Sequence, residues 1–269
     1  MPTDLLLALS GLVAGAFGAL LGLGGGVLIV PILTLAFGFP LTTAIGTSLI
    51  CVIATSTGAA AINVQAGRAD VRLGITLGAG TAVGALTGGV IAGFLPERVL
   101  AGLFAALLVY TAFTMARGLR GRRGSAAADA AIDPTAPDGP SAPAYRLRRL
   151  PLAIGGAFGG GNLSGLLGVG GGIVTVPIIH LLMGAPMRVA VTTSNFMIGF
   201  TAAAGSYAYL FRGDVDVRVA APVVLGVAVG GVMGAGLSAR LRTSWLVVLF
   251  VIVILYVASQ MALRAIDGP

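Results

Sequence analysis

Backbone N–H groups can bind an anion where glycine allows close approach and a helix begins beside them. The chain sets up that arrangement twice. Gly24, Gly25 and Gly26 precede Val27, and Gly170, Gly171 and Gly172 precede Ile173. Each run lies in a long apolar stretch, and a proline, Pro31 or Pro177, follows five positions after its last glycine. Consecutive glycines interrupt a helix, and the apolar residues after them restart it. The first N–H groups of the restarted helix, around Val27 and Ile173, then lack helical partners at the positive end of the helix dipole. The same glycines also suit close packing of helices through small residues. Pro31 and Pro177 are expected to shape these short helices by removing a hydrogen bond, without touching a ligand.

Side chains that could complete such a site follow each run. Thr47 and Ser48 in the first case, and Thr193, Ser194 and Asn195 in the second, lie a few residues inside the next apolar segment. Their hydroxyls and amide can donate to an anionic oxygen or bond back to the preceding helical turn. His180 is the single histidine and falls in the short segment after the second run. An ionisable residue there is a candidate for carrying a coupling proton, or a neutral hydrogen-bonded core residue. The lone cysteine, Cys51, excludes an internal disulfide and a multi-cysteine metal cluster. None of the nine acidic residues falls in the middle of an apolar segment, which argues against a cation pathway. No catalytic residue, metal or cofactor is expected.

The elements that position these residues belong in a bilayer. The chain has 269 residues, 57% of them hydrophobic and only 9% charged, with a mean hydropathy of +1.02. A soluble domain carries roughly 25% charged residues, so this composition cannot cover a soluble surface. The opening residues, Met1 to Asp4, lack the positive region of a cleaved leader, so the first apolar stretch is expected to belong to the fold. The formal charge is +7 and every basic residue is Arg. Seven arginines flank one polar stretch (Arg117, Arg120, Arg122, Arg123, Arg146, Arg148 and Arg149). Arginine beside membrane segments marks the cytoplasmic side, so no nucleic-acid partner is expected. The division is a first transmembrane unit over 1–117, a disordered cytoplasmic linker over 118–149, rich in Ala, Pro, Asp and Gly, and a second transmembrane unit over 150–269.

The two units repeat one another. At an offset of 146 residues, Gly22 falls on Gly168, Pro31 on Pro177, Gly38 on Gly184, Pro40 on Pro186 and Asp70-Val71-Arg72 on Asp216-Val217-Arg218. Between Gly15 and Ser48, 16 of 34 positions match their partners. Apolar segments are predicted over 5–23, 27–38, 44–63, 72–94 and 98–116, and over 150–169, 173–184, 190–211, 217–239 and 244–263. The fold class is therefore an all-α polytopic membrane protein of two homologous repeats. Each repeat has about four to five transmembrane segments and a glycine-broken half-helix near its start. Residues 5–38 as one straight helix would measure ~51 Å, too long for a core of ~30 Å. The first unit of each repeat must bend sharply or fold back as a hairpin. A hairpin gives an odd number of crossings and inverted repeats; a single bent crossing gives parallel ones. Arginine placement does not separate them. With the linker inside, the parallel arrangement puts Arg212, Arg218 and Arg264 inside, and the inverted one puts Arg188, Arg240 and Arg242 there. Inverted repeats are favoured, because two half-helices then approach one central site from opposite sides.

These features resemble the sulfite exporter TauE/SafE family of the toluene sulfonate uptake permease superfamily. The resemblance rests on Gly15-x-x-Gly18-x-x-x-Gly22-x-Gly24-Gly25-Gly26 with Pro31 and Ala44-x-x-Thr47-Ser48, and on Gly165-x-x-Gly168-x-Gly170-Gly171-Gly172 with Pro177 and Ala190-x-x-Thr193-Ser194. It spans the chain apart from the linker. It implies secondary transport of a small sulfur oxyanion or organosulfonate (sulfite, sulfonate or sulfoacetate), in a multi-pass protein of a bacterial inner membrane. The expected partners are the anion, the lipid bilayer and, in a homodimer, a second copy of the chain. A passive anion channel, or a carrier of a small carboxylate, would need the same half-helices. An intramembrane serine hydrolase built on Ser164 and His180 fits poorly, because Asn162 stands where that motif needs glycine.

Overall fold

The computed structural model describes residues 2–21, 25–65, 69–121, 150–185, 187–238 and 243–267. The polar stretch from 122 to 149 lies outside them, as do Gly22, Gly24, Arg68 and Pro186. The first half contains α1 (Pro2–Leu21), a short α2 (Gly26–Pro31) continuing into a π-helical turn (Ile32–Ala36), α3 (Leu41–Gln65), α4 (Val71–Ala92) and α5 (Glu97–Gly121). The second half has the same order: α6 (Leu150–Leu167), α7 (Gly172–Pro177) with its π turn (Ile178–Leu182), α8 (Met187–Arg212), α9 (Val217–Ser238) and α10 (Thr243–Asp267). Among the described residues five helices, α3, α4, α5, α9 and α10, are long and apolar enough to cross a membrane. Their outward positions are large and apolar, for example Phe113 on α5, Val229 on α9 and Ile252 on α10, all more than half exposed. Side chains of that kind face lipid.

The first unit of each half is a hairpin. Gly25 lies beside Ala14 and Gly15 of α1, while Ile29, Ile32 and Leu33 lie beside Ser10 and Gly11. The chain therefore runs back down α1 after turning. Gly171 in turn sits against Ser164, with Val174 against Gly160 and Ile178 against Gly156, so α7 runs back along α6. Pro31 and Pro177 are the last residues of these short α-helices, and the coil continues past each as a π turn. The missing N–H widens the coil into the π turn, and the helix stops only at Gly38 and Gly184, both at positive φ (71° and 73°).

Each hairpin packs on the opposite half. Helix α1 runs alongside and parallel to α9: a Cβ on Gly226, Gly230 or Gly234 would meet the carbonyl of Ala8, Leu12 or Ala16. Helix α6 runs alongside and parallel to α4, where Gly80, Gly84 and Gly88 face Ile154, Phe158 and Asn162. Glycine is required in these rows because the backbones touch. Helices α3 and α8 cross antiparallel through the centre, with Gly46 against Tyr209, Val52 near Ile198 through Gly170, and Ser56 against Gly199. Helix α8 also runs parallel to α4, bonded through Thr201 Oγ1 to Thr81 Oγ1 at 2.7 Å. The outer helices α5 and α10 pack antiparallel, with Gly102 facing Ala265. Glu97 at the start of α5 accepts from the Leu41 N–H at the start of α3 at 2.9 Å. The C-terminal ends of α3 and α5 consequently lie together at the end of the molecule from which residues 122–149 depart.

Candidate functional site

The two hairpin tips meet at the α3–α8 crossing. The short helices open at Gly25 (φ 78°) and Gly171 (φ 76°), a left-handed conformation that a side chain would strain. The carbonyl of Gly25 accepts the first helical bonds from Leu28 and Ile29 (3.1 and 3.3 Å), and that of Gly171 accepts from Val174 and Thr175 (3.1 and 3.0 Å). The N–H groups of Gly26, Val27, Gly172 and Ile173 precede those bonds, as the first donors of a helix do. Helix α2 leads from this crossing toward one end of the molecule and α7 toward the other, so their N-termini face a common centre.

Two serines bind the tips to the crossing helices. Ser48 Oγ on α3 donates to the Gly168 carbonyl at 2.8 Å and lies 3.2 Å from the Gly26 carbonyl. A Cβ on Gly26 would stand 2.7 Å from the Gly168 oxygen, so the two tips touch. Ser194 Oγ on α8 shares a 3.0 Å bond with Thr175 Oγ1, which donates to the Gly171 carbonyl at 2.8 Å. Val52 on α3 and Ile198 on α8 form apolar walls: Val52 approaches Gly26 and Gly170, and Ile198 approaches Gly170 and Gly172. An oxyanion reaching this centre would find the backbone N–H groups of the tips between apolar walls, and Ser48 and Ser194 would have to exchange their present hydrogen bonds to donate to it.

The structure thus brings together Gly25, Gly26, Val27, Ser48, Gly170, Gly171, Gly172, Ile173 and Ser194. Gly24 lies outside the described residues. Thr193 is engaged elsewhere, its Oγ1 accepting from the Asp70 N–H at 3.1 Å and so fixing the α3–α4 connection to α8. Thr47 Oγ1 is buried with no hydrogen-bond partner among the described residues, which leaves its donor free for a ligand or water. Asn195 is half-buried on α8. His180 stands in the π turn, away from the tips, with Nδ1 2.9 Å from the Ala185 carbonyl, as an Nδ1–H tautomer would donate. Cys51 is buried on α3.

Sequence reasoning missed Thr175 and Gly168 as an acceptor, and weighed Ser164 only as a hydrolase nucleophile. Ser164 Oγ is buried without a partner among the described residues; a Cβ on Gly171 would lie 3.5 Å from it. Its offset partner is Gly18 and that of Thr175 is Ile29. Polar residues that replace apolar or glycine ones in a single repeat are the signal that marks them. Near the site, a cavity of about 460 Å³ opens between α3 and α8, lined by Ser56, Ala60, Ala61, Phe196, Gly199 and Ala203 among others. It lies toward the C-terminal end of α3.

The profile of the family described as sulfite exporter TauE/SafE matches residues 7–261. The "probable membrane transporter protein YunE" of Bacillus subtilis (strain 168) is 29% identical over 97% of this chain and 98% of its own length. The "probable membrane transporter protein YdhB" of the same organism is 27% identical over 86% of this chain and 87% of its own length. The "probable membrane transporter protein MJ0441" of Methanocaldococcus jannaschii is 30% identical over 76% of this chain and 72% of its own length. No solved structure matches the chain. With a family profile covering nearly its whole length and relatives named as probable membrane transporter proteins, this chain belongs to the sulfite exporter TauE/SafE family of membrane transporters.

Proposed function

We propose that the protein is a secondary transporter of a small sulfur-containing anion, of the sulfite, sulfonate or sulfoacetate class, working by alternating access around the meeting point of the two hairpin tips. The observation that carries this reading is the convergence of two helix N-termini, each opened by a positive-φ glycine and each attended by a serine from a crossing helix. The substrate contacts are the N–H groups at Gly24–Val27 and Gly170–Ile173 and the side chains of Thr47, Ser48, Thr193, Ser194 and Asn195. Thr193 would have to exchange its bond with Asp70 for one with substrate.

The two halves act in this reading as inverted repeats. Three observations support it. The hairpins return the chain to the side it came from, so three crossings follow in each half. The parallel pairs α1–α9 and α4–α6 use contacts related by the 146-residue offset, such as Gly84 with Phe158 and Gly230 with Leu12. Helix directions also put Arg188 near the linker end and Arg212 and Arg218 at the opposite end. With the linker cytoplasmic, that is the inverted arrangement. The host compartment is then a bacterial inner membrane.

Uptake into proteoliposomes across a panel of anions tests the reading: sulfite, sulfate, sulfoacetate, an aromatic sulfonate and acetate, each with and without a pH gradient. The expected result is saturable, gradient-coupled uptake of one sulfur anion. Acetate carried in place of every sulfur anion would overturn the substrate class, and large unitary currents would replace the carrier with a channel.

A further inference from the structure

The two ends of the α3–α8 crossing are not alike. Toward the linker end, α3 and α8 part around an open groove of about 460 Å³ with Val64 and Phe200 exposed at its edge. Toward the other end they are joined by Tyr209. This ring is fully buried although it lies near the end of α8. It fits between Gly46 of α3 and Gly89 of α4: a Cβ on Gly46 would lie 3.1 Å from the Tyr209 Cβ, and one on Gly89 3.5 Å from the ring edge. Its hydroxyl donates to the carbonyl of Gly165 at 2.9 Å and lies 3.3 Å from that of Leu166. Those carbonyls end α6, just before the Gly168–Gly172 tip.

The ring is also held from outside. The Arg212 guanidinium lies 4.6 Å from its centroid, donates to the Gly89 carbonyl at 2.6 Å and pairs with Asp214 at 2.7 Å. A cation over an aromatic face, itself anchored twice, resists withdrawal of the ring. The first half has no such set. At the 146-residue offset Tyr209 becomes Asn63, Arg212 becomes Ala66 and Asp214 becomes Arg68. The residues around the ring change with it: Gly46 and Gly89 correspond to Thr192 and Ala235. A large ring goes with two glycines, and a small amide with two residues that have side chains. The socket and the ring belong to one another.

We propose that Tyr209 is a latch that closes the mouth of the central site at the end away from residues 122–149, and that Arg212 and Asp214 set the latch. The proposal rests on the alternating-access reading. Opening that mouth requires the Tyr209 hydroxyl to leave the Gly165 and Leu166 carbonyls and the ring to leave its glycine socket. Because those carbonyls end α6, release of the latch also frees the second hairpin tip to move.

Side-specific thiol labelling tests the latch without any substrate. In a Cys51→Ala background, one reporter is Ala60→Cys, which lines the open cavity. The other is Ser206→Cys, its offset partner on α8, only 3% exposed. A membrane-impermeant maleimide is applied to each face of sealed vesicles. With Tyr209 present, Ala60→Cys reacts from the linker side and Ser206→Cys reacts from neither. Tyr209→Phe keeps the ring and removes the hydroxyl, and should raise Ser206→Cys labelling from the far side by about tenfold. Arg212→Gln should act in the same direction. The proposal falls if Ser206→Cys reacts freely with Tyr209 in place. It falls equally if its protection is unchanged in monodisperse Tyr209→Phe and Arg212→Gln proteins. A labelling shift without transport of sulfur anions would leave the latch standing and remove the substrate class; transport without a shift would do the reverse.

Discussion

Ser48 Oγ donates a 2.8 Å hydrogen bond to the carbonyl of Gly168, 120 positions away in the chain. The bond joins a crossing helix of one half to the hairpin tip of the other. Ser48 is fully buried, so no water can replace it when the side chain is shortened. Ser48→Ala should lower stability by about 1–2 kcal/mol, since it strands a buried acceptor. The matching Ser194→Ala leaves Thr175 Oγ1 its bond to Gly171 and should be milder. Thermal unfolding of both variants in detergent, followed by size-exclusion chromatography, ranks them; equal losses would contradict the asymmetry.

The tips themselves should tolerate no side chain. Gly25→Leu and Gly171→Leu place a branched residue at φ 78° and 76°, at a backbone strain of about 1–2 kcal/mol each. That strain is small enough to leave folded protein in the membrane. The side chain would nonetheless fill the space a ligand needs, and transport should be lost. Normal uptake by both variants would move the site elsewhere.

The glycine rows between helices make a separate prediction about stability. A Cβ on Gly88 would run into the Asn162 carbonyl of α6. Gly88→Ala should force α4 and α6 apart and destabilise by about 1–3 kcal/mol. Gly58 on α3 has nothing within 4 Å of its Cβ position. Gly58→Ala should therefore be neutral or stabilising by up to about 1 kcal/mol. Apparent melting temperatures of the two variants check both signs.

His180 is tied by Nδ1 to the Ala185 carbonyl, which closes the end of the second hairpin. Gln can make a similar donor bond, so His180→Gln should preserve folding. We expect its transport to keep the parent's dependence on pH. A flattened pH profile, with uptake otherwise intact, would assign the coupling proton to His180.

Much of the fold is legible in the sequence, because each apolar run is bounded by residues that end helices. The segment expected at 190–211 is helix Met187–Arg212, and that expected at 217–239 is Val217–Ser238. The choice between bent crossing and hairpin was not legible. It depends on Gly25 folding back against Gly15, a contact between two glycines that carries no hydrophobic signature. Ser48 and the glycines of the tips were legible as candidates, since the repeat doubles them. The acceptor role of Gly168 was not, because a carbonyl has no residue type. Tyr209 left a signal in the repeat comparison, a large ring opposite Asn63.

The exchange of partners between the halves has a consequence for synthesis. Helix α1 packs along α9, which begins only at Val217. At roughly 5–20 residues per second, the first helix waits on the order of ten seconds or more before its glycine-lined partner leaves the ribosome. Its exposed Leu5, Leu6 and Leu9 can rest against lipid during that time. The hairpin return of α2, with its free glycine backbone, cannot, and must be shielded by something other than the mature structure. Neither half is a folding unit on its own, and two co-expressed fragments cut within residues 122–149 should assemble where either alone is degraded.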